Sequence, residues 1–455
     1  MSISVVILAA GQGKRMRSAR PKVLHKLGGV PLLLHVIRTA RQLEPADIHV
    51  VYGHGGEQLR KVLATENVDW VLQDRQLGTG HAVEQAMSRV SDANTVLVLY
   101  GDVPLIRAAT LSPLVERAAH GALAVLTAAL DEPHGYGRML RDSDGRLVGI
   151  IEQKDATAAQ LEIREVNTGF VAAPAARLRS WLGQLDNVNA QGEYYLTDVV
   201  ALAAAEGGPV ETASATDPCE ILGVNDRAQL SALERVYQGN QARRLMRDGV
   251  TVADPARLDV RGELRAGRDC ELDVNVVFEG QVQLGERVRV GPNCVIRNAT
   301  ISDNVEILAN CVIEDCAIGS GSRIGPFARI RPESELAERV HIGNFVEIKK
   351  SRIAAGSKIN HLSYIGDTHM GAGVNVGAGT IVCNYDGANK HLTEIGDDVF
   401  IGSDTQLVAP VKVGDGATIG AGSTITREVP PGELTLSRCP QQTRPGWKRP
   451  LKKPC

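Results

Sequence analysis

The sequence predicts two domains of different grammar: an α/β domain built on a doubly wound, mostly parallel sheet, then a parallel β-helix. Three observations predict this. Up to about residue 250, short apolar runs alternate with helical patterns, the mark of strand–helix–strand units. Beyond it the helical signal stops and aliphatic residues recur every six positions. Across the 455 residues glycine is frequent, at 47, and aromatics are scarce, at 4%, which suits tight corners around an interior too narrow for rings.

Taken in order, 4–9, 49–52, 95–100 and 123–128 read as strands, and 31–43 and 80–90 as helices. Residues 226–248 read as one long helix: Asp226 caps it, Leu230, Leu233 and Tyr237 share a face, and Gly249 ends it. The six-residue period then runs through Leu284, Val290, Ile296, Ile301, Ile307, Ile313, Ile318, Ile324, Ile330, Leu336, Ile342 and Ile348. It continues through Ile353, Ile359, Ile365, Val376, Val382, Ile395, Ile401, Leu407, Val413, Ile419 and Ile425. A small or β-branched residue often follows four positions on. Each hexad supplies a short strand and a corner, and three hexads close a triangular coil. One step is too long: Val382 to Ile395, where 383–391 reads as a loop projecting from the solenoid. The expected domains are 1–227, a linker helix 228–248, and 249–455.

Composition narrows the classes. A net charge of −3 argues against general nucleic-acid binding. Eight cysteines without a CxxC pair suggest reduced thiols in a cytoplasmic protein. The apolar run 3–10 lacks a preceding basic residue and feeds a glycine loop, so it reads as a buried strand and not a secretory signal. No apolar stretch approaches membrane-spanning length.

Residues 8–16 read LAAGQGKRM, followed by Pro21 and Lys22. Two glycines let the backbone approach an anion, and Arg15, Arg17, Arg20, Lys22 and Lys26 follow with no acid before Glu44. Such a field suits a triphosphate. Neither GxGxxG nor the Walker pattern is matched.

With that loop, the segments QLGTGHA (76–82), LYGDVPL (99–105), GYGR (135–138), EVNTGF (165–170), QGEYYLTD (191–198) and GVNDR (223–227) carry a resemblance over essentially the whole chain. The chain resembles the bacterial bifunctional UDP-N-acetylglucosamine pyrophosphorylases/glucosamine-1-phosphate N-acetyltransferases. The resemblance implies a Rossmann-like nucleotidyltransferase domain, a left-handed β-helix, a cytoplasmic homotrimer with acetyltransferase sites shared between subunits, and supply of peptidoglycan and lipopolysaccharide synthesis. Lys14 departs from it, standing where the family usually has Thr.

The resemblance also implies site residues. Leu8, Ala9, Ala10, Gly11, Lys22, Tyr100 and Gly101 would surround the nucleotide, and Gln73, Gly78 and Thr79 would read the uracil. Asp102 and Asn225 would bind Mg²⁺, although Asp102 alone equally suits a turn before Val103 and Pro104. Gly137, Glu152 and Asn167 would hold the sugar, while Arg15 and Lys22 neutralise charge as UTP reacts with N-acetylglucosamine-1-phosphate. In the solenoid, His361, within NHLSYIGD, would be the base for acetyl transfer from acetyl-CoA, since histidine titrates near neutrality. Arg331, Lys349 and Tyr364 would grip glucosamine-1-phosphate, and Asn375 and Asn384 the sugar and acetyl group. Ala378, Tyr385, Ser403, Ala421 and Arg438 match positions around acetyl-CoA, Asn384 among them. The rest of the basic tail, from Arg444 to Lys453, reads as solvated.

Two other readings compete. A single-activity nucleotidyltransferase with a regulatory solenoid leaves His361 and the 383–391 loop without purpose. A zinc hydratase would use His341, His361, His369 and His391, but their spacings do not repeat with a coil of about 18 residues. A purely structural solenoid does not account for the phosphate loop.

Overall fold

The structure, a computed structural model, describes residues 2–452 except Gln12 and His54; Lys453, part of the basic tail, lies outside the described residues. The chain divides into two compact units, Met1–Tyr237 and Gln238–Cys455. The division falls inside one helix, Arg227–Arg247, where the sequence predicts 226–248. Asp226 caps it, its Oδ1 accepting from the Gln229 N–H at 2.8 Å. Leu233 packs with Leu230 and Tyr237 against Met16, Leu27 and Leu32, so this face anchors the loop that carries the cations.

In the first unit the spatial order of the main strands is Val210–Ser214, Leu123–Ala129, Glu165–Pro174, Thr95–Tyr100, Ile3–Ala9, Asp47–Tyr52 and Asp69–Leu72. All pair in parallel except Glu165–Pro174, which runs against both neighbours. The helices Leu32–Arg41 and Thr79–Met87 match the predicted 31–43 and 80–90, the first starting one residue later and the second one residue earlier, and they end two and three residues sooner. Ile3–Ala9 is buried from Ser4 onward and pairs with strands on both sides, which explains its unbroken apolar run.

In the second unit, most register partners lie 17 or 18 residues apart, as in Ile324 with Ile342 and Ile342 with Ile359. Every aliphatic residue of the predicted six-residue series is buried in one continuous core. Many positions four on are buried too: Val288, Cys294 and Cys311 early, Ser357, Ser363, Thr380 and Thr405 later. Cys294 and Cys311 thus serve as small core residues. Among the described residues one face is an 11-stranded parallel sheet, and the other two share a 15-stranded one. The first long strands, Leu258–Ala266 and Val276–Leu284, cross both of those faces; after Val312–Ile318 the stack forks into two arms.

The coil begins earlier than the series at Leu284 indicates. Val260, Leu272 and Phe278 continue the six-residue phase backwards and are buried. Phe278 also corrects the expectation about rings: this end of the interior holds one. The long step after Val382 is a real insertion, since Val382 pairs with Leu407, 25 residues on. The insert folds on itself. Tyr385 bridges Lys390, and Asp386 accepts from the N–H groups of Ala388 and Asn389 at 2.8 and 2.6 Å and from His391 Nε2 at 2.7 Å.

Candidate active sites

From Ile3–Ala9 the chain moves to one side of the sheet and later returns to Thr95–Tyr100 on the other. The carboxyl ends of these neighbours therefore form the switch point where open α/β sheets take ligands. A cavity of about 570 Å³ lies there, lined by Leu8, Ala9, Ala10, Gly11, Lys22, Gln73, Gly78, Thr79, Tyr100 and Asp102. A Cβ built on Gly11 would meet nothing within 4 Å, so protein packing does not require glycine at this position. Gly78 is the opposite case. Its φ is 113°, and a Cβ would lie 2.5 Å from the Tyr194 carbonyl oxygen. The 191–198 segment is clamped onto 77–80. The N–H of Tyr194 donates to Leu77 and that of Gly80 to Tyr194, both at 2.8 Å, and the Leu196 N–H donates to Thr79 Oγ1 at 3.0 Å. The Gln73 amide is buried and donates to the Gly78 carbonyl at 3.1 Å.

Gly137, Glu152 and Asn167 come together beside this cavity's strands. The Asn167 N–H donates to the Gly137 carbonyl at 2.9 Å, and a Cβ on Gly137 would lie 3.5 Å from Glu152 Oε1. Burial pushes the Glu152 carboxyl above the usual range, opposed by a hydrogen bond from Thr197 Oγ1 at 3.3 Å. Desolvation, more than the charges of Glu152 and Asp102, holds the Tyr100 hydroxyl above the usual tyrosine range.

Lys22 Nζ donates to Asp102 Oδ2 and, at 3.3 Å, to Asn225 Oδ1. Asn225 is delivered by its neighbour Val224, whose N–H donates to the Asp102 carbonyl at 3.0 Å. One carboxylate and one amide oxygen thus converge on a single cation. Among the described residues no group of three or more His, Cys, Asp or Glu is placed to hold a metal. The donor set therefore fits a hard ion that draws its other ligands from phosphate and water, as Mg²⁺ does. Arg15 is not brought to this point; it stands exposed on the short turn Lys14–Met16, whose buried member is Met16. Lys14 lines the cavity instead, as does Gln76, whose Nε2 donates to the Ala10 carbonyl. The sequence reading assigned Gln76 no role, since nothing in its spacing points to Ala10.

In the solenoid, His361 is exposed and its Nδ1 lies 2.8 Å from Asn344 Oδ1, its register partner on the previous coil. With an amide oxygen facing it, Nδ1 is the nitrogen that donates, which in the neutral ring leaves the Nε2 lone pair free. Ala378, Ser403 and Ala421 continue the same corner on successive coils. Backbone bonds run from the Gly379 N–H to His361, from Asp404 to Ala378 and from Gly422 to Ser403. Small side chains thus form a column rising from His361 at about 4.8 Å per coil. Arg438 reaches its upper end, Nη1 donating to the Ala421 carbonyl at 2.7 Å.

Around the next corner, Arg331 binds Glu347 at 2.8 Å and Lys349 lies 3.8 Å from Asp367. Asn384 Nδ2 donates to Asp367 and, at 3.4 Å, to the Tyr364 hydroxyl. Lys390, from the insert, lies beside Lys349, and that neighbouring ammonium holds it below the usual lysine range. Paired ammoniums form a place for a dianion. Asn375 stands apart from this group on the adjacent face, between Lys358 and Phe400 in register. Tyr385 is exposed, its hydroxyl donating to Gly387 within the loop at 2.6 Å. Asn344, Asp367 and Lys390 are the members of this site that the sequence reading missed.

If His361 acts as a base, Asn344→Ala is expected to lower kcat by up to about a hundredfold with little change in KM, because it frees the ring without touching the paired ammoniums. Steady-state kinetics with both substrates varied checks this.

Residues 5–252 match the MobA-like NTP transferase domain, 260–351 the GMPPB C-terminal domain, and 392–427 the bacterial transferase hexapeptide with its six repeats. Among curated proteins, the bifunctional protein GlmU of Methylococcus capsulatus is 59% identical, covering 99% of this chain and 98% of its own length. Those of Ralstonia nicotianae and Azoarcus sp. are each 58% identical over 99% of this chain, with 99% and 100% of their own lengths covered. Fold, cavity and repeats define a two-part transferase: a nucleotidyltransferase joined to a hexapeptide-repeat acyltransferase. The chain belongs to the bifunctional GlmU family. Among the described residues no helix is long and apolar enough to cross a membrane.

Proposed function

We propose that the two halves catalyse consecutive steps of UDP-N-acetylglucosamine synthesis. In the solenoid, His361 Nε2 takes a proton from the amine of glucosamine-1-phosphate as its nitrogen attacks the thioester carbon of acetyl-CoA, and coenzyme A leaves as the thiol. Arg331, Lys349 and Tyr364 hold the sugar phosphate, joined by Lys390, and Asn384 and Asn375 orient the sugar and acetyl group. Ala378, Ser403 and Ala421 leave room for the pantetheine, flanked by Tyr385, and Arg438 meets the phosphates. In the first unit, an N-acetylglucosamine-1-phosphate oxygen attacks the α-phosphorus of UTP and pyrophosphate leaves. Gln73, Gly78 and Thr79 face the uracil, Gly137, Glu152 and Asn167 the sugar, and Gly11 and Lys22 the phosphates, which Arg15 would reach from its exposed turn. Asp102 and Asn225 would hold Mg²⁺, which supplies charge neutralisation on the phosphates. The functional domains follow as 1–227 and 249–455, joined by 228–248, in a cytoplasmic protein.

The column that starts at His361 carries this reading, because a regulatory solenoid needs neither an oriented imidazole nor a smooth lane above it. The test is thiol release from acetyl-CoA by the full chain with glucosamine-1-phosphate, followed by pyrophosphate release when UTP is added. Absence of thiol release favours the regulatory solenoid. A homotrimer is supported by the stacked Phe327 and Phe345 rings, 5.3 Å apart and half exposed one coil before Leu362. Exposed rings in such a row suit burial between subunits. Light scattering of the purified protein is expected to give the mass of three chains.

A further inference from the structure

The two oxygens assigned above to a divalent cation already hold one positive charge, the Lys22 ammonium. We propose that Lys22 is a resident surrogate cation, which must leave Asp102 and Asn225 before a divalent ion can take them. This inference rests on the assignment of those two residues as metal ligands.

Two observations support it. The Lys22 and Asp102 side chains are only 13% and 18% exposed, so their attraction is weakly screened. An unpaired carboxylate so little exposed would be costly, and Lys22 compensates it. Finally, only the side chain has to move. The Lys22 backbone opens the turn Lys22–Leu24, whose Val23 and Leu24 are buried, and Gly13 packs so closely that a Cβ would lie 2.7 Å from Lys22 Cβ. The stem is fixed and the ammonium swings.

The destination is the cavity beside Gly11, where nucleotide phosphates would attract it. Two cations cannot share one pair of oxygens, so the apparent metal affinity of the free protein falls by the fraction of time those oxygens are vacant. Phosphates that draw Lys22 away raise that fraction. Metal and nucleotide therefore favour each other's binding, by the same factor in each direction.

The test is Mn²⁺ binding to the full chain without nucleotide, read from the electron paramagnetic resonance of free Mn²⁺. Lys22→Met, which keeps the apolar stem, is expected to bind Mn²⁺ about tenfold more tightly than the parent protein, corresponding to oxygens vacant about one-tenth of the time. Lys22→Ala provides the same readout should methionine disturb the turn, with unfolding midpoints as the check on folding. Unchanged or weaker Mn²⁺ binding in both variants, with Asp102→Asn weakening it, overturns the surrogate role and leaves the ligand assignment standing. Mn²⁺ binding indifferent to Asp102→Asn overturns both.

Discussion

His361→Ala is expected to reduce acetyl transfer by about 10²–10⁴-fold, the usual contribution of a positioned general base, while uridylyl transfer stays at the parental rate. The geometry makes the separation sharp. His361 is exposed and its ring is tied to Asn344, so its removal opens no cavity in the stacked core. An exposed substitution of this kind should change stability by no more than about 0.5 kcal/mol. The loss then belongs to the chemistry and not to the fold. Thiol release and pyrophosphate release measured on the same preparation check it. Loss of both in protein with a parental unfolding midpoint would show that the two sites are not independent.

Asp102→Ala is expected to do the reverse, reducing uridylyl transfer by at least about 10²–10³-fold, comparable with removal of one preorganised charge stabiliser elsewhere. The Asp102 carbonyl still accepts from the Val224 N–H in the variant, so Asn225 stays in place. The Lys22 ammonium, however, loses its carboxylate partner in a poorly exposed position. Breaking such a pair from one side destabilises a protein by up to about 3–5 kcal/mol when it is fully buried, and less here. Asp102→Asn, which keeps an oxygen toward Lys22, separates this effect from the kinetic one. Acetyl transfer should persist in both variants, and thermal unfolding measured alongside the assays distinguishes a lost ligand from a loosened domain.

Much of this architecture is written in local pattern, and the exceptions have physical causes. Ile3–Ala9 and Thr95–Tyr100 are legible because burial on both faces makes them continuous apolar runs. The edge strand Asp69–Leu72 is not, because only Val71 of its four residues is buried. The antiparallel Glu165–Pro174 carries no mark of direction, since an interior strand is equally apolar whichever way it runs. The early coils hid behind Ala266 and Phe278, which keep the six-residue phase without the large aliphatic side chain of Leu, Ile or Val. The sites show the same division. Gly11, Asp102 and His361 sit in recognisable strings, whereas Asn344 lies 17 residues before its partner and becomes a neighbour only when the chain has wound once. Aligning the sequence coil by coil would have found it. Lys390 needed the folded insert, and the link between Gln76 and Ala10 needed the sheet order.

The column above His361 has a consequence for how this half of the molecule can change in length. A solenoid is held together by nearest-neighbour stacking, so its stability depends only weakly on whether one whole turn is added or removed. Its function does not share that tolerance. Ala378, Ser403 and Ala421 occupy the first, second and third steps above the histidine, and Arg438 touches the third. A cofactor lying along them, as proposed, would be measured against a ruler whose zero is His361. Removing one turn within that interval would leave a well-formed stack but shift every mark beyond the cut by about 4.8 Å. Turns below Arg331 are outside the ruled interval and outside the proposed phosphate grip, and there the chain has licence to lengthen or shorten.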